Sequence, residues 1–417
     1  MGASFGEQGI CSKVQQGPRE RLAAQDEKAQ KEEAEKLQLD RKERKSQREE
    51  AVVKAALEAL RKNNHQMQRR ESRAPVPEVA SLNARATVVF TGRMSDTMEV
   101  PFQEKASAMK GLQCLEELVD VHLAGVRCVS GQVPTFLRPN QDDYFYMQTS
   151  DSYRALGIFD GHGIDGHGAA AVARDVLLRR LLQELPAERA KSDAAYSGGL
   201  QGILVSAFEE AHQEIVTRPE IDATLSGTTA FILVHDSKRH WLTSAWTGNC
   251  RCVMAAEKEV LTAANEEFGD ASFVHRKPIK SKKKVEVVPL TKDHTVQRSD
   301  ERSRIMSAGA QMRAVTDGPH LICAPGNLVG HQYGVIHVPE VVDRCLEDGT
   351  TPHFAVAATD GLWGVFKEPE VLAILRETIE ENMIYGIDLL VERARGRWEQ
   401  RQKSNVVDDI TVGVVRF

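Results

Sequence analysis

No disulfide framework can be read in this sequence: seven cysteines, an odd number, are scattered at positions 11, 114, 128, 250, 252, 323 and 345 with no CxxC pair. That usage predicts a reduced, intracellular chain. No apolar run approaches the roughly 20 residues that a membrane-spanning helix needs, and the N-terminus lacks the apolar core of a secretory signal. A soluble protein is therefore expected. A basic surplus is missing as well, since 54 Lys and Arg stand against 60 Asp and Glu, a formal net charge of -6. This argues against a nucleic-acid binder, because affinity for a phosphate backbone needs positive charge gathered on one face. No internal repeat is visible, and no histidine lies at i+4 from His162, which excludes a zinc helix of the HExxH type.

What is present begins with an asymmetry of composition. The 417 residues leave room for one large domain of about 250 to 300 residues with an extension, or for two domains. Residues 1–72 read as a charged extension, helical or partly disordered. Its few apolar residues (Leu22, Leu37, Leu39, Val52, Leu57, Leu60) sustain no heptad, so a coiled coil is not expected. A helix around "AVVKAALEAL" is the segment there suited to a partner or to autoregulation. The opening "MGASFGEQGIC" offers Gly2 for myristoylation and Cys11 for a second acyl chain, against Gly6 where Ser or Thr is usual. The alternatives are peripheral membrane attachment and an unmodified terminus. "RAPVPEV" opens residues 73–124, a linker and the N-terminal part of the globular region, and residues 125–417 read as one catalytic domain.

Within the globular part, short apolar runs rich in β-formers recur: "RALGIF", "TTAFILVH", "HWLTSAW", "RCVMAA", "HFAVAA" and "DITVGVV". Helical periodicity is clearest in "GAAAVARDVLLRRLLQEL", where Val172, Val176, Leu177 and Leu181 share a face. Further helices are predicted at "LQGILVSAFEEAHQEIV", near "ERSRIMSAG", at "EPEVLAILRE" and at "IDLLVERARGRWEQ". The close runs "WLTSAW-TGNC-RCVMAA" predict an antiparallel hairpin. Strands and helices in bunches favour an α+β class.

Four aspartates share a position, each where an apolar strand starts or stops: Asp142 in "RPNQDDYF", Asp160 in "IFDGHG", Asp360 in "VAATDGLWG" and Asp408 in "NVVDDITV". Any one alone reads equally as a turn Asp bonding its own backbone. Four converging would repel one another unless cations neutralise them, and carboxylate, carbonyl and water oxygens suit Mg²⁺ or Mn²⁺. Gly161 and Gly361 let backbone carbonyls approach a ligand closely. His162 is open to three readings: metal ligand, structural histidine or general acid.

Together with "SGTTAFILV", "TGNCRCVM", "LTKDHTVQRSDERSRIMSAGAQM", "YGVIHVPEV", "ATDGLWGVF" and "VDDITVGVV", in that order, these motifs resemble the metal-dependent Ser/Thr protein phosphatases of type 2C, the PPM family. The resemblance covers about Gly125 to Phe417. It implies two antiparallel sheets packed as a sandwich, flanked by helices on both faces, with a site for two Mg²⁺ or Mn²⁺ ions at one end. Asp160 is similar to the carboxylate that bridges both ions, with the Gly161 carbonyl as a further ligand, and Asp142, Asp360 and Asp408 to the remaining metal carboxylates. The implied reaction is hydrolysis of phosphoserine or phosphothreonine in a phosphoprotein by a metal-bridging hydroxide. His162 would then protonate the departing oxygen and Arg138 would bind the phosphate. Arg138 is spaced from Asp142 as in members that carry Lys-x-Asn-Gln-Asp.

The chain also departs from the pattern. Gln141 stands where many members have Glu, a variant compatible with activity. "TGNCR" replaces the usual Gly-Asp-Ser-Arg, so Asn249 brings an uncharged amide where a third, weaker ion has a carboxylate ligand. A third ion is accordingly doubtful. The stretch "AVTDGPHLICAPGNLVGHQ" replaces a family segment, and "HRKPIKSKKK" falls near the variable flap. That basic run reads as a solvated loop, a recruiter of acidic substrates or a nuclear-import patch. The alternatives to a phosphatase are a pseudophosphatase or scaffold with a weakened metal site, which binds phosphoproteins or a partner through the N-terminal arm and does no chemistry, and a metal-dependent nuclease. A cytoplasmic location is expected, membrane-associated if the terminus is acylated, with the nucleus as the other candidate.

Overall fold

The structure, a computed structural model, describes residues 86–92, 104–105, 107–109, 123–133, 138–149, 152–188, 193–262, 280–309, 311–313, 321–323, 335–346, 351–401 and 406–417. All belong to the compact unit Pro77–Phe417. The charged extension at 1–72, with Gly2, Cys11 and the "AVVKAALEAL" segment, lies outside the described residues.

In chain order the strands are β1 (Ala86–Gly92), β2 (Ser107–Met109), β3 (Ala124–Val129), β4 (Asp142–Thr149), β5 (Tyr153–His162), β6 (Gly227–Asp236) and β7 (Trp241–Thr247). They continue with β8 (Arg251–Thr262), β9 (Lys280–Pro289), β10 (Gln311–Arg313), β11 (Leu321–Cys323), β12 (Glu340–Cys345), β13 (Thr351–Ala358) and β14 (Ile410–Arg416). The helices are α1 (Gly166–Glu188), α2 (Asp193–Thr217), α3 (Ser299–Ser307), α4 (Asp360–Trp363) and α5 (Glu368–Arg401). Seven strands form one sheet in the order β12-β7-β6-β5-β4-β1-β2, five form a second in the order β3-β14-β13-β8-β9, and β10 pairs with β11. Every strand pair is antiparallel.

Alternation within the strands explains the layering. Along β4, Tyr144 and Tyr146 face the second sheet with Leu156, Ile158, Phe231, Leu233, Met254 and Ala357. Phe145 and Met147, one residue out of step, face α1 and α2 among Phe159, Ile232, Val172, Val176, Leu177 and Leu181. The second sheet repeats the arrangement: Val253, Val356, Val412 and Val414 turn outward onto Leu362, Leu375, Ile387 and Leu390 of α4 and α5. Three apolar interfaces thus separate four layers, helix, sheet, sheet and helix, the α+β sandwich that the motif order implies. Each fully buried aliphatic or Phe side chain contributes roughly 1.5–3 kcal/mol. A one-residue slip would turn both faces over, so the pattern fixes the register.

The hairpin expected at "WLTSAW-TGNC-RCVMAA" does not form. β7 pairs with β6 and β12, whereas β8 pairs with β13 and β9, so the short link between them carries the chain from one sheet to the other. Both strands contribute side chains to the interface between the sheets, including Trp246, Cys252 and Met254. Burial there outweighs local pairing. The basic run is also partly strand rather than loop: Lys280 to Lys284 belong to β9, paired with β8, while residues 275–279 lie outside the described residues. The two helices expected at "EPEVLAILRE" and "IDLLVERARGRWEQ" are the halves of α5, divided at Asn382, whose φ of -157° and ψ of 98° break the helical path.

Candidate active site

Four chain segments converge where β4 begins, β5 ends, β13 passes into α4 and β14 begins. Register places Asp142 directly opposite Asp160 across the β4–β5 pair. Asp142 is 1% exposed, and its Oδ2 accepts hydrogen bonds from Thr359 Oγ1 at 2.9 Å and Thr411 Oγ1 at 2.7 Å. Thr359 precedes α4 without capping it through its side chain. Its hydroxyl instead joins Asp142 to the Thr411 N–H, at 3.1 Å. One carboxylate is therefore tied to the two chain segments that carry Asp360 and Asp408.

Asp160 and Asp360 lie carboxyl beside carboxyl, each acting on the titration of the other. Asp360 Oδ2 also accepts from Asn249 Nδ2 at 2.8 Å. Asp408, at the mouth of the cluster, accepts from Arg138 Nη2 at 3.1 Å. The Arg138 guanidinium also donates to Gln141 Oε1 at 2.7 Å and lies 3.2 Å from Asp409 Oδ2. Burial works against its charge, but Asp409, Asp408 and Asp142 outweigh it and push its pKa up.

The Gly161 N–H donates to the Gln141 carbonyl at 3.1 Å. A Cβ at Gly161 would stand 2.3 Å from the Gly166 carbonyl oxygen and 2.6 Å from that of Gln141, so glycine alone fits. His162 follows, exposed at the end of β5 and paired in register with Gly227. Desolvation holds its imidazole below the usual value. The second Asp-Gly-His unit is structural: the Asp165 carbonyl accepts the Ala169 N–H at 3.0 Å to start α1, and its carboxylate accepts the Asp222 N–H at 2.9 Å.

Burial is the largest cause raising the pKa of Asp142, Asp160 and Asp360. Like charge adds to it: Asp409 and Asp408 act on Asp142; Asp142, Asp360 and Asp408 on Asp160; and Asp408 on Asp360. Buried carboxyl groups that press on one another form a hard, oxygen-only donor set. A divalent cation fits it, because it supplies the positive charge the cluster lacks. Asp300, Glu301 and Glu340 form another acidic group. That group is already paired, by Arg298 with Asp300 and Glu340 and by Arg304 with Glu301.

The structure thus brings Arg138, Asp142, Asp160, Gly161, Asp360 and Asp408 to one place, with His162 at its edge. Several residues that hold this cluster were not singled out in the sequence. Asp409 takes the backbone N–H groups of Gly131 at 2.6 Å and Gln141 at 2.9 Å. Asp143, fully buried, is held by Arg174 at 2.7 Å and Lys105 at 3.6 Å. The doubled "DD" pairs were the available signal: at each, one aspartate faces the cluster and its neighbour anchors the backbone.

A buried carboxylate cluster at the strand ends of a four-layer sandwich is suited to metal-dependent hydrolysis of phosphate esters. The sequence model of the protein phosphatase 2C family matches residues 129–389, which include Asp142, Asp160 and Asp360, and the chain belongs to this family. "Probable protein phosphatase 2C 48" of Oryza sativa subsp. japonica is 28% identical over 279 residues, 61% of this chain and 72% of that protein. "Probable protein phosphatase 2C 73" of Arabidopsis thaliana is 26% identical over 284 residues, 61% and 69% of the two chains. Among solved structures, the serine-threonine phosphatase 2C from Toxoplasma gondii shares the fold at a TM-score of 0.52 and 18% identity, over 70% of this chain and 94% of that one. A C. elegans sex determining protein does so at 0.52 and 17%, over 70% and 64%.

Proposed function

We propose that Asp142, Asp160, Asp360, Asp408 and the Gly161 carbonyl hold two Mg²⁺ or Mn²⁺ ions, with phosphoserine and phosphothreonine side chains of proteins as the substrate. The chain is a metal-dependent protein Ser/Thr phosphatase. The observation that carries the site assignment is the buried, mutually repelling group of Asp142, Asp160 and Asp360. Without a partner of opposite charge such a group costs stability.

Bound there, the two ions supply an activated water at neutral pH and neutralise phosphate charge. The chain's own residues do the rest. Thr359 and Thr411 fix one oxygen of Asp142, which leaves the other free to orient. Arg138 is held by Gln141, Asp408 and Asp409, and its fork of five N–H donors keeps some for the phosphate oxygens. As the bond from phosphorus to the Ser or Thr oxygen breaks, His162 gives that oxygen a proton.

The test is phosphate release from a phosphothreonine peptide with Mn²⁺ or Mg²⁺, repeated in EDTA. Turnover that requires the metal supports the reading, and phosphopeptide binding without turnover would replace it with a pseudophosphatase. The four aspartates and His162 are all present, and no observation favours that alternative. The Gly2 and Cys11 acylation, the cytoplasmic or nuclear location and a partner for the N-terminal helix stay proposals from the sequence.

A further inference from the structure

The link that carries the chain from β7 to β8 holds one side chain against the carboxylate cluster. Asn249 Nδ2 donates to Asp360 Oδ2 at 2.8 Å. A carboxylate oxygen only accepts, so the NH₂ end of the amide faces Asp360. The amide oxygen, the end able to ligate a cation, is turned away from that contact.

The turn itself is gripped on both sides. The Gly248 N–H donates to His294 Nδ1 at 3.2 Å, and the His294 N–H returns to the Gly248 carbonyl at 2.8 Å. Gly248 takes a φ of +93°, and a Cβ there would lie 2.5 Å from Thr229 Cγ2, so no other residue fits. On the far side, Cys250 Sγ lies 3.0 Å from Thr229 Oγ1. Arg251 pairs with Asp293 at 2.7 Å and with Glu368 at 2.9 Å. Between these fixed neighbours, the amide of Asn249 reaches Asp360.

We propose that Asn249 is a positioning residue for Asp360: its N–H holds one carboxylate oxygen and presents the other to the cation. This rests on the reading of Asp360 as a cation ligand given above. A second-sphere hydrogen bond of this kind orients a ligand, and removing one weakens metal binding by about 10- to 100-fold.

Isothermal titration of the metal-free full chain with Mn²⁺ tests this, with thermal unfolding in EDTA as a second readout. Wild type binds two ions. Asn249→Ala still binds two, at least about tenfold more weakly, with its EDTA midpoint close to wild type. Asn249→Ser, whose hydroxyl is too short to reach Asp360, shows the same loss and serves if the alanine variant does not fold. Asn249→Asp removes the donor and adds a like charge, so its EDTA midpoint falls. Mn²⁺ affinity in Asn249→Ala and Asn249→Ser equal to wild type overturns the proposal alone. A wild type that binds no Mn²⁺ overturns the reading of the site together with it.

Discussion

Asp142 and Asp160 stand directly opposite one another across two neighbouring strands, yet they are held differently. Two threonine hydroxyls secure Asp142, whereas Asp160 faces another carboxyl, that of Asp360. Like charge from Asp142, Asp360 and Asp408 bears on Asp160, and a cation there would offset it. Asp160→Asn is expected to lower kcat about a thousandfold or more, roughly 4 kcal/mol of transition-state stabilisation. In EDTA the same variant unfolds no earlier than wild type, because a like-charge contact has been removed. Steady-state kinetics and thermal unfolding in EDTA check the two halves separately.

Arg174 carries a structural prediction. Its guanidinium meets the fully buried Asp143 at 2.7 Å and the Gly92 carbonyl at 2.7 Å. Removing one partner of a buried pair leaves an uncompensated charge, so Arg174→Ala should cost about 3 kcal/mol in urea unfolding. Lys105, 3.6 Å from Asp143, offsets part of the loss. A double variant that also changes Asp143 to Asn should recover much of it.

Gly161→Ala tests the close approach of three chain segments. The added methyl would overlap the carbonyl oxygens of Gly166 and Gln141, both backbone atoms. Backbone cannot rotate away as a side chain can, so a loss of about 1–3 kcal/mol in unfolding free energy is expected. Activity falls with it, because the displaced strand end carries Asp160 and His162.

A pH dependence away from the site follows from His235. It is 3% exposed and packs edge-on against Phe417, ring centroids 5.0 Å apart. Burial, with help from Arg154 and His240 and against Asp236, pushes its pKa down to about 3. The unfolded chain takes up this proton near pH 6.5, whereas the folded chain resists it down to about 3, so the contribution is complete above 6.5 and is lost as pH falls. The loss grows by about 1.4 kcal/mol per pH unit, reaching roughly 3 kcal/mol near pH 4. Urea unfolding at a series of pH values should show this slope in wild type, flattened by that amount in His235→Gln.

These residues also show what a sequence discloses. The apolar run that stops at Asp160 before Gly161 and His162 is a local signal, and so are the doubled aspartates. Thr359 and Thr411 are not, because they meet Asp142 across 217 and 269 positions of chain. Nothing near either threonine marks it as the partner of a distant carboxylate. The expected hairpin at Asn249 failed for a related reason: adjacency in sequence favours pairing, but burial between two sheets decided which strand each run joined. β1, in "ATVVFTG", went unread, yet it pairs with β4 and its Gly92 carbonyl binds Arg174. The α+β class was therefore legible from the bunching of strands and helices, the layers from the resemblance that the motifs carry, and the four aspartates from their strand-end positions. The supports behind them were set by contacts that only folding creates.

The most direct test is anomalous diffraction at the manganese edge from crystals grown with Mn²⁺. Two ions about 3.5–4 Å apart, with Asp160 touching both and Asp142, Asp360 and Asp408 around them, are predicted. Density for no ion at these carboxylates, or manganese bound only at Asp300, Glu301 and Glu340, would contradict the account.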